Sequence, residues 1–156
     1  MQRLFDYNPN TGDLTWKVGK RNGKTAGTRG QFGTNVVIGS VRSRTARNYK
    51  AHRIIWKLVC GVDPVETIDH INCDPFDNRL LNLRAASMSE QAYNQRVSKD
   101  NTSGYKGVST KNGRFVAQIN IGGKPVYLGL FDNPEEGHKL YTRLAKAIRG
   151  SFARNK

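Results

Sequence analysis

Residues 67–94 read TIDHINCDPFDNRLLNLRAASMSEQAYN, and this run alone indicates an order of elements. It begins with a carboxylate beside an imidazole, at Asp69 and His70, and continues into a loop rich in Asn, Asp and Pro. Apolar residues on both sides of the loop predict two short strands, the second at Leu80 to Leu83, and a polar helix is expected from about Ser87 to Arg96. The predicted order is therefore strand, loop, strand, helix.

The chain around this run is strongly basic. Its 156 residues contain 26 Lys and Arg against 12 Asp and Glu, which gives a net charge of +14 and a pI near 10.2. Residues 1–60 hold 12 basic and 2 acidic side chains, residues 61–100 hold 4 and 7, and residues 101–156 hold 10 and 3. A polyanion is the expected partner, and the acidic segment that carries the histidine lies between two basic ones.

Composition excludes several other classes of protein. Cys60 and Cys73 are separated by 12 residues and form no CxxC pair, so neither a disulfide framework nor a thiolate zinc site is supported. The apolar run near Ile54 to Cys60 is short and contains Lys57, so no membrane span is expected. We expect a soluble, intracellular protein of two small modules joined by a polar linker, because 37% hydrophobic residues permit only modest cores.

The first 60 residues predict a small β-rich region followed by one helix. Two short strands are expected to turn at Asn10 to Gly12, residues 19–35 read as a loop, and Asn35 to Val41 reads as a strand. Helical spacing of apolar residues predicts a helix from Ala51 to Cys60, which Gly61 would end. Basic residues in this region are candidates for DNA contacts: Arg42, Arg44, Arg47, Lys50, His52 and Arg53. A solvated loop is the alternative for the basic loop, and a packed histidine is the alternative for His52.

Three motifs of the central run, AspHisIleAsn, AspAsnArgLeu and AsnLeuArg, together resemble the HNH nuclease family in type and spacing. That family has a ββα-metal fold, with an Asp-His pair on the first strand, an Asn on the second and a ligand on the helix. The resemblance implies that Asp69 ligates a metal and that His70 activates water. Asn82 would fix either the loop or the imidazole tautomer by a hydrogen bond.

Phosphodiester hydrolysis explains why these residue types occur together. A hard divalent cation stabilises the charge that develops on the phosphate, and a base deprotonates the attacking water. One ion per active site is expected, Mg²⁺ first and Mn²⁺ as the alternative. Adjacent strand residues point to opposite faces, so Asp69 and His70 share a site only where the strand bends or ends.

The run departs from the family pattern at two positions. Gln91 stands where the family usually has a His or Asn metal ligand, and Asn94 lies one helical turn later on the same face. We expect Gln91 to complete the metal site with Asn94 in reserve, and the alternative is a weakened or inactive nuclease. Cys73 stands where the family commonly has Gly.

The last third of the chain predicts three strands and a helix. Alternating residues place Phe115, Ala117, Ile119 and Ile121 on one face of the middle strand. Asn133 as N-cap, Pro134 at the first position and acidic residues in the first turn announce the helix. Four of its side chains are expected to cover the sheet: Leu140, Leu144, Ala147 and Ile148.

TyrLysGlyVal, PheValAlaGlnIle, TyrLeuGlyLeuPhe and ProGluGlu in this part resemble the Apetala/ethylene-response-factor DNA-binding domain, over about residues 103–152. Such domains insert a three-stranded sheet into the major groove, where Arg and Lys can read guanine edges or grip phosphate. The resemblance implies these DNA-binding candidates, with a solvated sheet face as the alternative for each: Lys106, Lys111, Arg114, Gln118, Lys124 and Tyr127.

The two resemblances define the predicted organisation. We expect an α+β protein with an HNH nuclease module of the ββα-metal type at residues 1–97, including the basic β-rich part, then a linker at 98–103. A three-stranded antiparallel sheet plus helix would follow at 104–156. The order is similar to that of free-standing or intron-encoded homing endonucleases of phages.

That organisation implies a metal-dependent endonuclease for double-stranded DNA, with no membrane partner, acting in the cytoplasm of a bacterial host. Whether a monomer nicks the duplex or a DNA-bound dimer breaks both strands stays open. The alternative is a catalytically weakened or inactive DNA-binding protein or regulator. An RNA-directed protein is less favoured, because the sheet lacks paired stacking aromatics.

Overall fold

The computed structural model describes residues 1–39 and 44–154, which form two compact units, Met1–Met88 and Ser89–Lys156. Its elements make a mixed α/β protein with several small antiparallel sheets. The domain bounds 1–97 and 104–156, with a linker at 98–103, stay a prediction. The elements in chain order are β1 (Phe5–Tyr7), β2 (Leu14–Trp16), β3 (Thr28–Gly30), β4 (Gly33–Ile38), β5 (Arg47–Lys50), α1 (Ala51–Cys60), β6 (Thr67–His70), β7 (Leu83–Ala86), α2 (Met88–Asn94), β8 (Val108–Lys111), β9 (Arg114–Ile121), β10 (Lys124–Phe131) and α3 (Pro134–Arg149).

The predicted N-terminal hairpin is confirmed. β1 and β2 are antiparallel, with Phe5 opposite Trp16, and the two rings pack at a centroid distance of 4.5 Å. Alternation in β2 turns Leu14 and Trp16 inward, where both are buried. The hairpin therefore contributes three large side chains to the core of the first unit.

A second antiparallel sheet has the strand order β3-β4-β5. The strand predicted from Asn35 to Val41 is observed from Gly33 to Ile38, and Val41 lies outside the described residues. Residues 19–35 were predicted as a loop, which is wrong in part, because β3 and a 3-10 turn at Gly19–Arg21 form there. Gly30 pairs with Gly33 at the tight turn that joins β3 to β4. The prediction of a loop gave weight to the many charged residues of this segment and not to the spacing of these two glycines.

Helix α1 has the bounds that its apolar spacing predicts. Gly61 follows in a left-handed conformation, and its N–H bonds to the carbonyl of Lys57. Ile54 and Ile55 are buried and pack in one cluster with the hairpin and with residues of β4, β6 and β7. Full burial of one such side chain stabilises the fold by about 1.5–3 kcal/mol. α1 thus packs against both the hairpin and the strands β6 and β7, of which β6 carries Asp69.

β6 and β7 form a two-stranded antiparallel ladder, with Asp69 opposite Arg84 and His70 opposite Leu83. The second strand was predicted at Leu80 to Leu83, but residues 80–82 form a 3-10 turn and the strand begins at Leu83. Asn82 causes this shift, because its side chain bonds back into the loop. The predicted order is otherwise confirmed, with α2 slightly shorter than the range from Ser87 to Arg96.

The second unit contains a three-stranded antiparallel sheet in the order β10-β9-β8 and helix α3, as predicted. The Asn133 side chain caps α3 by accepting from the N–H of Glu135 at 2.8 Å. The predicted covering face is wrong in part: Leu144 packs against the core of this unit, but Ala147 and Ile148 are exposed, and the fully buried residues of α3 are Gly137, Tyr141 and Ala145.

Close packing explains which face of α3 is buried. A Cβ at Gly137 would lie 3.3 Å from the Cβ of Ala117 and 3.1 Å from the ring of Phe131. The absence of a side chain at Gly137 therefore lets the helix approach the sheet closely. This close packing turns the face with Gly137 toward the sheet, although larger aliphatic side chains lie elsewhere on the helix. Within the described residues, no helix is long and apolar enough to cross a membrane.

Candidate active site

The Asp-His pair lies at the end of β6, where the ladder gives way to the loop that leads to β7. Both residues are buried: the exposed fraction is 5% for Asp69 and 9% for His70. Adjacent residues of a strand point to opposite faces and can share a site only where the strand bends or ends. His70 is the last residue of β6. Burial strengthens electrostatic interactions here, since little water screens them.

Asp69 forms a buried cross-strand ion pair. The Nε of Arg84 donates to Oδ2 of Asp69 at 2.9 Å, and its Nη2 lies 2.8 Å from the same oxygen. The two side chains are only 7% and 14% exposed, for Asp69 and Arg84 respectively. The guanidinium holds the carboxylate at a fixed place on the ladder, with Oδ2 turned toward Arg84.

His70 is oriented by an amide. Its Nε2 lies 3.1 Å from Oδ1 of Asn78, a buried residue at 5% exposure. An amide oxygen only accepts, so Nε2 is the donor, and a neutral ring then has its lone pair on Nδ1. Asn78 was not among the predicted site residues, although it belongs to the quoted AspAsnArgLeu motif.

A second imidazole packs against the first. His52 of α1 meets His70 edge to face at a ring-centroid distance of 5.1 Å. Burial, with smaller contributions from the charges of His70, Arg53 and Lys50, lowers the pKa of His52 to about 4. His52 is therefore neutral near pH 7 and packs against the candidate base. This packing matches one of the two roles predicted for His52, and its contact with DNA stays a prediction.

Asn82 holds the loop. Its Oδ1 accepts from the N–H of Asn72 at 3.0 Å, and its Nδ2 donates to Oδ1 of Asn72 at 3.0 Å and to the carbonyl of Asp77 at 2.8 Å. Of the two roles predicted for Asn82, these bonds match fixing the loop, while Asn78 contacts the imidazole. In the structure, Asn82 therefore fixes the loop and Asn78 contacts the imidazole, whereas both possible roles were predicted for Asn82.

The other acidic residues of the loop make turn contacts. Oδ1 of Asp74 accepts from the N–H of Phe76 at 2.9 Å. Hydrogen bonds from Arg79 lower the pKa of Asp77 to about 2, and the same carboxylate accepts from Asn72. Cys73 adopts a left-handed φ of 59°, which explains why a glycine would suit this position.

The predicted ligands on α2 differ in exposure. Gln91 is exposed, whereas Asn94, the reserve, is buried at 4% exposure. In the part of the chain that the structure describes, no group of three or more His, Cys, Asp or Glu side chains could hold a metal ion. Asp69 offers carboxylate oxygens, and Gln91 and Asn94 each offer an amide oxygen, which are the kinds of hard oxygen ligand that Mg²⁺ prefers.

The predicted basic residues of the first unit have several roles. Arg44 and Arg47 are exposed, and Arg42 lies outside the described residues. The guanidinium of Arg53 donates to the carbonyls of Pro64 and Glu66, both at 3.2 Å, and Nζ of Lys50 lies 3.4 Å from the carbonyl of Phe32. Arg53 and Lys50 therefore also tie down loops.

In the second unit, four candidates lie on the sheet face opposite the buried Ala117 and Ile119. The register pairs Lys111 with Arg114 and Tyr127 with Gln118 on that face, and all four are exposed. Lys124 pairs with Ile121, which the alternation of β9 assigns to the other face. The structure thus brings together Lys111, Arg114, Gln118 and Tyr127.

Lys106 does not lie on this face. Its Nζ donates to the carbonyls of Tyr93 and Gln95 at 2.6 and 2.7 Å, at the C-terminal end of α2. A cation at this end satisfies carbonyls that the helix leaves open and interacts favourably with its dipole. Lys106 thus stabilises the end of α2, a role that the sequence did not reveal.

Comparison with known proteins agrees with this geometry. Residues 49–93, from the end of β5 through α1, β6 and β7 into α2, match the family described as HNH endonuclease, whose substrate is DNA. The chain therefore carries an HNH endonuclease domain and belongs to the HNH nuclease family. Protein 3.8 of Escherichia phage T7 is a relative, 34% identical over 112 residues, which are 68% of this chain and 92% of the phage protein.

Proposed function

We propose that this chain is a metal-dependent DNA endonuclease of the homing type, whose second unit selects the site that is cut. The observation that carries the proposal is the buried pair of His70 and Asn78 beside the ion pair of Asp69 and Arg84. An oriented imidazole next to a carboxylate is the arrangement that hydrolysis of a phosphodiester requires.

His70 takes the proton of the attacking water in this proposal. Because Nε2 donates to Asn78, the neutral ring accepts that proton at Nδ1. Asn82 keeps the loop of Asn72 and Asp77 closed, so that the position of Asn78 is defined. His52 is neutral near pH 7 and adds no positive charge that would oppose protonation of His70.

Asp69 would hold the divalent cation. The resemblance to the ββα-metal family implies an amide oxygen of Gln91, or of Asn94 in reserve, as a further ligand. The bound ion, Mg²⁺ or Mn²⁺, supplies stabilisation of the charge that develops on the phosphate. Mg²⁺ is commonly held by one or two carboxylates plus water and substrate phosphate, so a single Asp fits. Arg84 keeps the Asp69 carboxylate aligned.

The open sheet face of the second unit is proposed to bind duplex DNA. Lys111, Arg114, Gln118 and Tyr127 share this face, and their exposure leaves them accessible to base edges and phosphates. The resemblance to the Apetala/ethylene-response-factor domain supports the same surface. Arg114 also pairs with Asp132 at 2.6 Å, so binding DNA would exchange one anion for another.

Cleavage of supercoiled and linear duplex DNA, with Mg²⁺, with Mn²⁺ and with chelator, tests the proposal. We expect metal-dependent cutting that His70→Ala abolishes and Tyr49→Phe, at an exposed tyrosine of β5, leaves intact. The ratio of nicked to linear product distinguishes a monomer from a dimer that breaks both strands. Cutting that persists in His70→Ala would contradict the assignment of the base.

A second candidate is a DNA-binding regulator without nuclease activity. The exposure of Gln91 and the pairing of Asp69 with Arg84 favour it, because both could weaken a metal site. Tight duplex binding with no product at any metal concentration would support this candidate. If Gln91→Asn leaves cleavage and metal affinity unchanged, Gln91 is not a ligand, and Asn94→Ala then tests the reserve.

A further inference from the structure

We propose that the N-terminal hairpin is part of the catalytic machinery: Tyr7 and Gly12 hold Asn78 in place, and Asn78 selects the tautomer of His70. Tyr7 and Gly12 lie outside the segment 49–93 that matches the HNH family. The inference rests on the proposed nuclease function, in which His70 is the base. Tyr7, Gly12 and Asn78 are positioning residues, since they act on the reaction through His70.

The first step is the bond between the imidazole and the amide. Both side chains are buried, and the distance from Nε2 to Oδ1 is 3.1 Å. A buried polar group that loses its partner is strongly disfavoured, so this bond makes one tautomer dominant. The tautomer with its lone pair on Nδ1 is present only while Asn78 presents its oxygen to the ring.

The second step is the backbone of Asn78. The hydroxyl of Tyr7 donates to the carbonyl of Asn78 at 3.1 Å and accepts from the N–H of Leu80 at 2.8 Å. One hydroxyl thus bridges both sides of Arg79. Burial raises the pKa of Tyr7 above its ordinary value, so the proton that it donates is retained.

The third step is the turn of the hairpin. Gly12 has a φ of +80°, and a Cβ there would lie 2.7 Å from the nitrogen of Arg79 and 2.8 Å from the carbonyl carbon of Asn78. Only glycine satisfies both the conformation and the space. The turn is itself fixed, because the N–H of Gly12 bonds to the carbonyl of Asn8 at 2.8 Å.

These contacts run from the hairpin to the base in two links, from Tyr7 and Gly12 to the Asn78 backbone and from its amide to His70. Phe5 and Trp16 already supply the packing of the hairpin. The hydroxyl of Tyr7 therefore adds a positional restraint beyond that packing. Partners that orient a reactive group indirectly typically contribute 10- to 100-fold when removed.

Nitrogen-15 NMR of the His70 ring in the full chain tests the tautomer without any need for activity. We expect Nε2 to carry the proton in the unaltered protein and in Asn78→Asp, whose carboxylate still accepts. In Asn78→Ala the two tautomers should mix. A proton on Nδ1 in the unaltered protein would overturn the proposal even if the protein cuts DNA.

Cleavage kinetics provide the second arm. Asn78→Ala should lower kcat by roughly 100-fold and Tyr7→Phe by roughly 10-fold, with KM changed less than about twofold. Asn78→Asp should recover part of the loss, and Tyr49→Phe serves as the matched tyrosine control. If Tyr7→Phe leaves both kcat and the His70 signals unchanged, the hairpin has no positioning role.

The two arms separate the two ideas. A protein that cuts no DNA contradicts the proposed function, while the NMR spectra of the unaltered protein and of Tyr7→Phe still decide whether the hairpin sets the tautomer. If Asn78→Ala does not fold, as judged by circular dichroism, those same two samples decide the question.

Discussion

Arg84 lies directly across the β6–β7 ladder from Asp69, and two of its nitrogens approach a single carboxylate oxygen at 2.8 and 2.9 Å. The pair is buried, so its charges are weakly screened by solvent. Replacement of a buried ion pair by apolar residues can be neutral, whereas removal of one partner leaves an uncompensated charge. The stability of the fold and the position of the candidate ligand therefore depend on the same arginine.

Arg84→Met should destabilise the protein by about 3–5 kcal/mol, because it leaves the Asp69 carboxylate buried beside an apolar side chain. Urea unfolding followed by tryptophan fluorescence measures the change. The double variant Asp69→Asn with Arg84→Met should recover most of the loss. A loss below about 1 kcal/mol in Arg84→Met would show that solvent reaches the carboxylate.

His52 predicts that stability falls with acidification. The pKa of His52 is about 4 in the fold, below its ordinary value of 6.5, so the unfolded chain takes up this proton first as the pH falls. The free energy of unfolding should decrease between pH 6.5 and pH 4 by up to about 3 kcal/mol from this residue. His52→Phe should flatten that dependence in urea titrations at pH 7, 6 and 5. An unchanged slope would mean that His52 titrates normally.

Cys73→Gly should stabilise the protein by about 1 kcal/mol. Cys73 has a φ of 59°, a conformation that is strained for a residue with a side chain and relaxed for glycine. Cys73→Ala is the matched control, since it removes the thiol and retains the strain. Equal midpoints of thermal unfolding for the two variants would contradict the explanation.

Gly107→Ala should destabilise the second unit by more than about 3 kcal/mol. Gly107 has a φ of +77°, and a Cβ there would lie 2.1 Å from a ring carbon of Tyr141. Backbone strain and overpacking then add. Gly104→Ala, at a φ of +73° with nothing within 4 Å, should show the strain alone, about 1–2 kcal/mol. Amide hydrogen exchange in β8 to β10 measures both, and similar losses would contradict the clash.

The sequence predicted the elements whose signals are local. α1 was placed correctly because its apolar residues keep helical spacing and Gly61 ends it. The N-cap of α3 was read from Asn133 and Pro134 for the same reason. The buried face of α3 was predicted only in part, at Leu144, because Gly137 allows the helix to lie close to the sheet and a hydropathy pattern does not register close approach.

The sequence was enough to propose Asp69 and His70, but not to identify the residues that contact them in the structure. Asp69 and His70 stand out by their type and order in the sequence. Arg84 and Asn78 meet them only because of strand register and the path of the loop, which the sequence does not display. Tyr7 is 71 residues from its partner Asn78, a separation that no local pattern can bridge.

The core described for the first unit places Ile54, Ile55 and Ile68 against Phe5, Leu14, Trp16 and Val36 of the preceding strands. The segment that carries the HNH motif thus shares its core with the preceding strands and cannot be moved to another protein by itself. Grafted into another scaffold, residues 49–93 would bring the reactive groups but expose their apolar underside to water. A protein engineer who moves this segment would have to transplant the β-rich region with it, or design a replacement surface of equal shape.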